Sequence, residues 1–317
     1  MAKLQVSLKP SYEAPSPALS FLLAAQNADG GWGYLVGARS AVEPSSWALV
    51  ALSFAPDADK WLPMAERGLH WLRKAQLPDG SWPSFLGQTR GCWATSLACG
   101  ACSVYSRLLP ETCQEPLAGG LNWLCLSVPA EALWKSRVQF WLHGRHHQAR
   151  QYGWSWTPNT SSWVEPTAYA LLALQATPAK RLPKQATNRL ACGDAFLLER
   201  QCPGGGWDTG NPPCPGTVRT AQVEPTAWAL LALLHDSNRD EIHQGLQWLA
   251  SRASEPTGLA AKAVAELCLR AYGRRSEQDF DVPATFESSP LPNVQAASWL
   301  ALAERGSWRG FAARGGK

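Results

Sequence analysis

The stretch GLHWLRKAQLPDGSW at 68–82 holds an apolar helical run, a Gln, a short Pro-Asp-Gly turn and a Trp. Two further copies keep the same order: FLLAAQNADGGW at 21–32 and GDAFLLERQCPGGGW at 193–207. Gln stands six residues before Trp in all three. Partial copies are GLNWL at 120–124, GWSW at 153–156, GLQWLASR at 245–252 and AERGSW at 303–308. A spacing of about 50 residues between copies is the mark of a repeat architecture, in which each unit buries its apolar face against its neighbours.

A second signature follows these turns: AVEPSSWALVAL at 41–52, WVEPTAYALLAL at 163–174 and QVEPTAWALLAL at 222–233, with a shorter SEPTGLAAKAVAEL at 254–267. Pro is tolerated in the first turn of a helix, where its missing N–H has no partner to lose. A Glu beside it interacts favourably with the helix N-terminus. The runs that follow lack charge, so these helices are buried nearly all round. The stretch 60–76 instead has a polar face of Glu66, Arg67, Arg73 and Lys74. Outer helices are therefore expected near 16–26, 60–76, 111–127, 188–201 and 238–252. Inner ones are expected near 43–55, 91–107, 165–176, 224–235 and 257–272, and a last helix at 293–305 would complete the ring. The expected fold is all-α, a single α/α toroid of about six helical hairpins over 16–310, with an insert at 130–160. An N-terminal arm (1–15) and a C-terminal tail (311–317) flank it.

The Gln76-x-x-x-Gly80-Ser81-Trp82 copy resembles the QW repeat of squalene and oxidosqualene cyclases. The wider pattern is similar to the prenyltransferase and squalene cyclase repeat superfamily. The resemblance implies that Gln26, Gln76, Gln201, Trp32, Trp82 and Trp207 brace the barrel and that any active cavity lies at the ring's centre. Class II terpenoid cyclases carry an Asp-x-Asp-Asp motif whose middle Asp protonates an alkene or epoxide. This sequence has none. Asp57-Ala58-Asp59-Lys60 is nearest, and it reads as a turn and helix cap. Protein prenyltransferases hold zinc with an Asp-Gly-Cys string and a distant His. Here the matching string is Arg90-Gly91-Cys92, and Arg cannot bind a metal. His143, His146 and His147 have metal-like spacing but lie in a basic segment. No metal and no cofactor is expected.

What remains is the set of rim glutamates. Glu43, Glu165 and Glu224, with Glu255 in the shorter copy, stand at corresponding helix starts. Each either serves the helix dipole or, desolvated, donates a proton. Four residues on come Trp47, Tyr169 and Trp228, on the same helical face. They either pack between helices or form an aromatic wall that stabilises a cation. Trp93, Trp163 and Asp208 complete the expected substrate-binding set. Asp208 lies with Arg219 in a Gly/Pro-rich turn, 202–220, that could form a lid.

Bulk composition narrows the classes. Hydrophobic content is 45% and charged content 17%, which excludes a disordered chain. A net charge of +4 is too weak to indicate nucleic-acid binding. The nine Cys are odd in number, and Cys99 and Cys102, spaced as CGAC, fit an apolar helix core. Cys202 and Cys214 could pair, but free thiols are favoured. MAKLQVSLKP has no apolar stretch of a signal peptide, so a cytoplasmic location is expected. The segment 131–156 is basic, with Trp134, Val138, Trp141 and Leu142 at helical spacing. It could dock on a membrane surface, cover one end of the ring or bind a partner. The expectation is an enzyme that handles an isoprenoid or other apolar substrate by protonation and carbocation steering. The alternative is a non-catalytic toroid that binds a lipid, peptide or protein. The sequence leaves oligomeric state open.

Overall fold

The computed structural model describes residues 15–133, 152–210, 218–252, 258–274, 286 and 292–305. Eleven α-helices form among them, and strand pairing is limited to isolated bridges. Six helices make an inner ring: α2 (Val42–Ser53), α4 (Ala94–Tyr105), α6 (Val164–Gln175), α8 (Val223–Ala232), α10 (Leu259–Ala271) and α11 (Val294–Arg305). Each packs on the next, and α11 packs on α2 to close the circle. The outer helices are α1 (Pro17–Ala24), α3 (Leu62–Ala75), α5 (Pro110–Leu126), α7 (Ala186–Glu199) and α9 (Asp240–Arg252). The first outer helix pairs with the last inner one, so the hairpin that seals the ring is made from opposite ends of the sequence.

Inner helices α2, α4, α6 and α8 are buried on almost every face because their runs carry no charge beyond the first turn. In α2, ten of its residues, from Val42 to Leu52, are buried. The outer helices bury one stripe, as in α3, where Ala65, Leu69, Trp71, Leu72 and Ala75 face inward.

The QW-type residues brace the ring as their motif implies. Gln26 Nε2 donates to the Gly30 and Met64 carbonyls at 2.8 and 3.0 Å. Gln76 Nε2 repeats this with Gly80 and Pro116 at 2.8 and 2.9 Å. Gln201 Nε2 reaches the Glu241 carbonyl at 2.6 Å. Each Gln thus ties its turn to the next outer helix. Trp32, Trp82 and Trp207 are fully buried, and their indoles donate to Leu22, Leu72 and Leu197.

Two further parts of the brace were not read from the sequence. The Ser or Thr after each Glu-Pro accepts the N–H of the turn Trp: Ser45 from Trp32, Thr167 from Trp154 and Thr226 from Trp207. Thr95 does the same for Trp82, which places Trp93 in register with Glu43. At the GWSW turn the Trp154 indole donates to the Leu124 carbonyl, and the position four residues on, held by Gln in the other copies, is Val128. There Arg189, buried on α7, reaches back to donate to the Ser127 and Gly153 carbonyls at 3.3 and 2.9 Å. Its guanidinium lies 3.8 Å from the Trp154 ring centroid.

Some expectations change. The string at 57–60 is a turn into a short 3-10 helix, with Asp57 at φ 52° and no side-chain capping bond. Glu255 lies outside the described residues. Helix α10 opens only at Leu259, so its residue in register with Glu43 is Ala260, and a fourth rim carboxyl is not placed by this helix. The arm, the tail, Cys214, the three histidines at 143–147 and residues 134–151 of the basic segment also lie outside the described residues. The segment's described flank is tied to the ring, where Glu131 Oε1 accepts the Ser162 N–H at 2.9 Å. No described helix is long and apolar enough to cross a membrane.

Candidate active site at the mouth of the ring

The shared register of the inner helices sets two layers at one end of the ring. The upper layer holds Glu43, Trp93, Glu165, Glu224 and Gln295. Four residues deeper on their own helices stand Trp47, Leu97, Tyr169, Trp228 and Trp299. Gln295 and Trp299 come from VQAASW at 294–299, which parallels VEPSSW at 42–47 but lacks Glu and Pro. That likeness was the available signal for them.

The deeper aromatics meet one another rather than lining open space. Trp47 and Trp228 stack with ring centroids 5.0 Å apart. Tyr169 and Trp299 approach Trp228 edge-on, each at 5.1 Å, and Trp47 at 5.9 and 5.8 Å. All four are buried, with at most 4% of the surface of any one exposed. A cavity of about 20 Å³ beside Trp47 and Tyr169 has room for about one water. Trp163 precedes α6, pairs through its backbone with Trp154 and makes no ring contact with this cluster among the described residues.

The three glutamates act on one another above this aromatic plug. Burial pushes the Glu165 carboxyl up to about 7, with the charges of Glu224 and Glu43 adding to it. Glu224 is also raised by burial. Glu43 is raised by burial and by Glu224, against an opposing hydrogen bond from Tyr34. The Tyr34 hydroxyl donates to Glu43 Oε2 at 2.6 Å, and Gln295 Nε2 donates to Oε1 at 3.3 Å. The Trp93 indole N–H also favours the charged Glu43, from outside hydrogen-bond geometry, and among the described residues it has no other partner. Tyr34 is placed by its own carbonyl, which accepts the Val294 N–H at 3.0 Å. Among the described residues no hydrogen bond is donated to Glu165 or Glu224.

Two clefts open at these helix starts. One, of about 590 Å³, is lined by Glu165, Gln222, Glu224, Trp248 and Arg252. The other, of about 840 Å³, is lined by Arg90, Trp93, Trp123, Thr157 and Asn159, and there Trp93 leans edge-on to Trp156 at 5.1 Å. Asp208 stands apart. Arg219 grips both its oxygens at 2.7 and 3.0 Å, and Gly210 N–H donates at 2.9 Å, so its carboxyl lies below the usual range. Among the described residues no group of His, Cys, Asp and Glu could hold a metal, and Cys202 is a free thiol.

No family model matches the chain. Over 76 residues it is 41% identical to the lanosterol synthase of Mus musculus, and over 78 residues 38% identical to that of Homo sapiens. These segments are 21% and 22% of this chain but only 10% of either synthase. A protein from Actinoplanes superimposes with a TM-score of 0.52 at 18% identity, over 89% of this chain and 78% of that one. An arginine-to-alanine variant of the type II terpene cyclase MstE from Scytonema, in complex with geranylgeranyl dihydroxybenzoate, gives 0.52 at 16% identity, over 92% and 78%. The chain thus has the fold of the type II terpene cyclase toroid, and one stretch of about 76 residues is similar in sequence to lanosterol synthase, of which it spans a tenth.

Proposed function

We propose that the chain is a terpene-cyclase-like enzyme that protonates an isoprenoid or similarly apolar substrate at the glutamate-rimmed mouth, with Glu165 as the proton donor. The observation that carries this is a carboxyl held protonated up to about pH 7, beside two others and a cleft of about 590 Å³. A carboxyl raised this far keeps its proton near neutrality but is a weak acid. It suits an oxygen acceptor such as an epoxide better than an isolated alkene. The cation formed would lie close to Glu43, Glu224 and the Trp93 ring, all of which favour positive charge. Loss of a proton to a neighbouring carboxylate would end the reaction, leaving an isomer of the substrate.

The test is incubation of the purified chain with prenyl epoxides and alcohols of graded length, followed by product analysis. Cyclised isomers that vanish in Glu165→Gln support the reading. Undiminished product from Glu165→Gln, Glu43→Gln and Glu224→Gln would overturn the choice of acid.

The second reading is a non-catalytic toroid that binds a lipid, peptide or protein. The packed aromatic plug favours it, because a substrate has no open lumen to enter among the described residues. Saturable binding without turnover of any substrate in the series would select it.

A further inference from the structure

The three glutamates are not equivalent, and the hydrogen bonds they receive distinguish them. Carboxyls that share a site cannot all ionise together, so the cluster must place its charge somewhere. Hydrogen bonds donated to a carboxylate favour its charged form, and a short O–H···O bond to a carboxylate is among the stronger ones. Glu43 receives two such donors, from Tyr34 at 2.6 Å and Gln295 at 3.3 Å. Glu165 and Glu224 receive none among the described residues, and these two line the open cleft.

We propose that Tyr34 and Gln295 are positioning residues that hold the mouth's negative charge on Glu43 and thereby leave the proton on Glu165. This rests on reading Glu165 as the proton donor. It adds the device that selects it from three chemically identical side chains. The titratable groups acting on Glu43 are Tyr34 from the rim loop, Cys92 ahead of α4, Tyr169 in the layer below, and Glu165 and Glu224 across the mouth, and Arg252 of α9 lines the cleft beside Glu165 and Glu224. Burial disfavours charge at Glu43, and the two donors oppose that penalty.

Tyr34 is fixed from two sides. Its carbonyl is tied to the start of α11, and its ring leans on Phe85 with centroids 6.4 Å apart. Gln295 comes from α11 itself, the helix whose rim position lacks Glu. One helix of the ring therefore supplies a donor where three others supply an acid, and Glu43 on the adjacent α2 receives it.

The experiment titrates the side-chain carboxyls by carbon-13 NMR on the full chain, with Glu→Gln variants for assignment and no substrate present. It therefore reads the charge distribution whether or not the chain turns anything over. In the native chain Glu43 is expected to be charged at pH 7 while Glu165 is still titrating. In Tyr34→Phe the Glu43 titration should move up and that of Glu165 down, each by about one pH unit, because the charge leaves Glu43. Gln295→Leu should do the same more weakly, and it gives a second reading if Tyr34→Phe does not fold. A native Glu43 that is neutral at pH 7 overturns the proposal. So does a Glu165 titration that is unmoved in both variants.

Discussion

Trp47 and Trp228 stack face to face across the middle of the inner ring, with centroids 5.0 Å apart and planes 29° from parallel. They come from helices α2 and α8, which are separated in the ring by α4 and α6 on one side and α10 and α11 on the other. The pair therefore joins opposite walls of the barrel. Trp228→Ala should cost about 3–5 kcal/mol, the usual range for truncating a large buried aromatic. Urea unfolding of the variant checks this. A loss below about 1 kcal/mol would mean the plug does not hold the walls together.

Four glycines make room for the turn tryptophans. A Cβ on Gly68, Gly120, Gly193 or Gly245 would meet the ring of Trp32, Trp82, Trp154 or Trp207 at 2.6–2.9 Å. At Gly120 it would also meet Cys99 Sγ at 2.4 Å. Gly120→Ala is expected to destabilise by about 1–3 kcal/mol through overpacking. Gly258→Ala, where a Cβ meets nothing within 4 Å, should change stability by no more than about 0.5 kcal/mol. Thermal unfolding of the two variants side by side decides it.

Gln76 donates to two backbone carbonyls, one in its own turn and one on α5. Gln76→Ala removes both bonds and should cost about 1–3 kcal/mol. Gln76→Glu should cost more, because above pH 5 it aims a carboxylate at the same two acceptors. The order of midpoints in urea, native above Ala above Glu, is the measurement.

The raised Glu165 carboxyl gives stability a definite slope with pH. Its ordinary value is 4.5 and its folded value about 7, so between them the native state holds more protons than the unfolded one. The contribution is fully present below about 4.5 and is lost as pH rises through about 7. One pH unit corresponds to at most about 1.4 kcal/mol, and partial exposure of the side chain brings the whole effect to about 1–2 kcal/mol. Glu165→Gln should match the native chain at pH 4 and exceed it at pH 8. Equal stability at pH 8 would show that Glu165 ionises freely in the fold.

The helices and the braces were legible in the sequence because both are written as periodic, local patterns. The outer helix expected at 60–76 is Leu62–Ala75, and the inner helix expected at 165–176 is Val164–Gln175. The rim glutamates could be found because a Glu-Pro helix start repeats. What the sequence left hidden depends on where helices meet in space. Trp47, Tyr169 and Trp228 could be assigned to one face each, but nothing local says that the faces touch across the ring. Tyr34 lies in a loop, and its partner Glu43 is recognisable only once that loop folds over α2. Arg189 supplies from the next outer helix bonds that a Gln supplies elsewhere, and no local pattern marks it for that role. Gln295 escaped because its helix start lost the Glu and Pro by which the others were recognised.

The hairpin that seals the ring, α1 on α11, sets an order on folding. Apart from the adjoining α2–α11 contact, which closes with it, the seams of the barrel join helices that follow one another round the chain, and each can form with a smaller loss of loop entropy. This seam waits until some 270 residues have been gathered into an arc, from Pro17–Ala24 to Val294–Arg305. It should be absent from the rate-limiting step of folding and be the first place the ring parts. Weakening it, for example at the buried Leu22, would then accelerate unfolding while leaving the rate of folding nearly unchanged. The barrel is in this sense a clasped bracelet, with its kinetic lifetime set at the clasp.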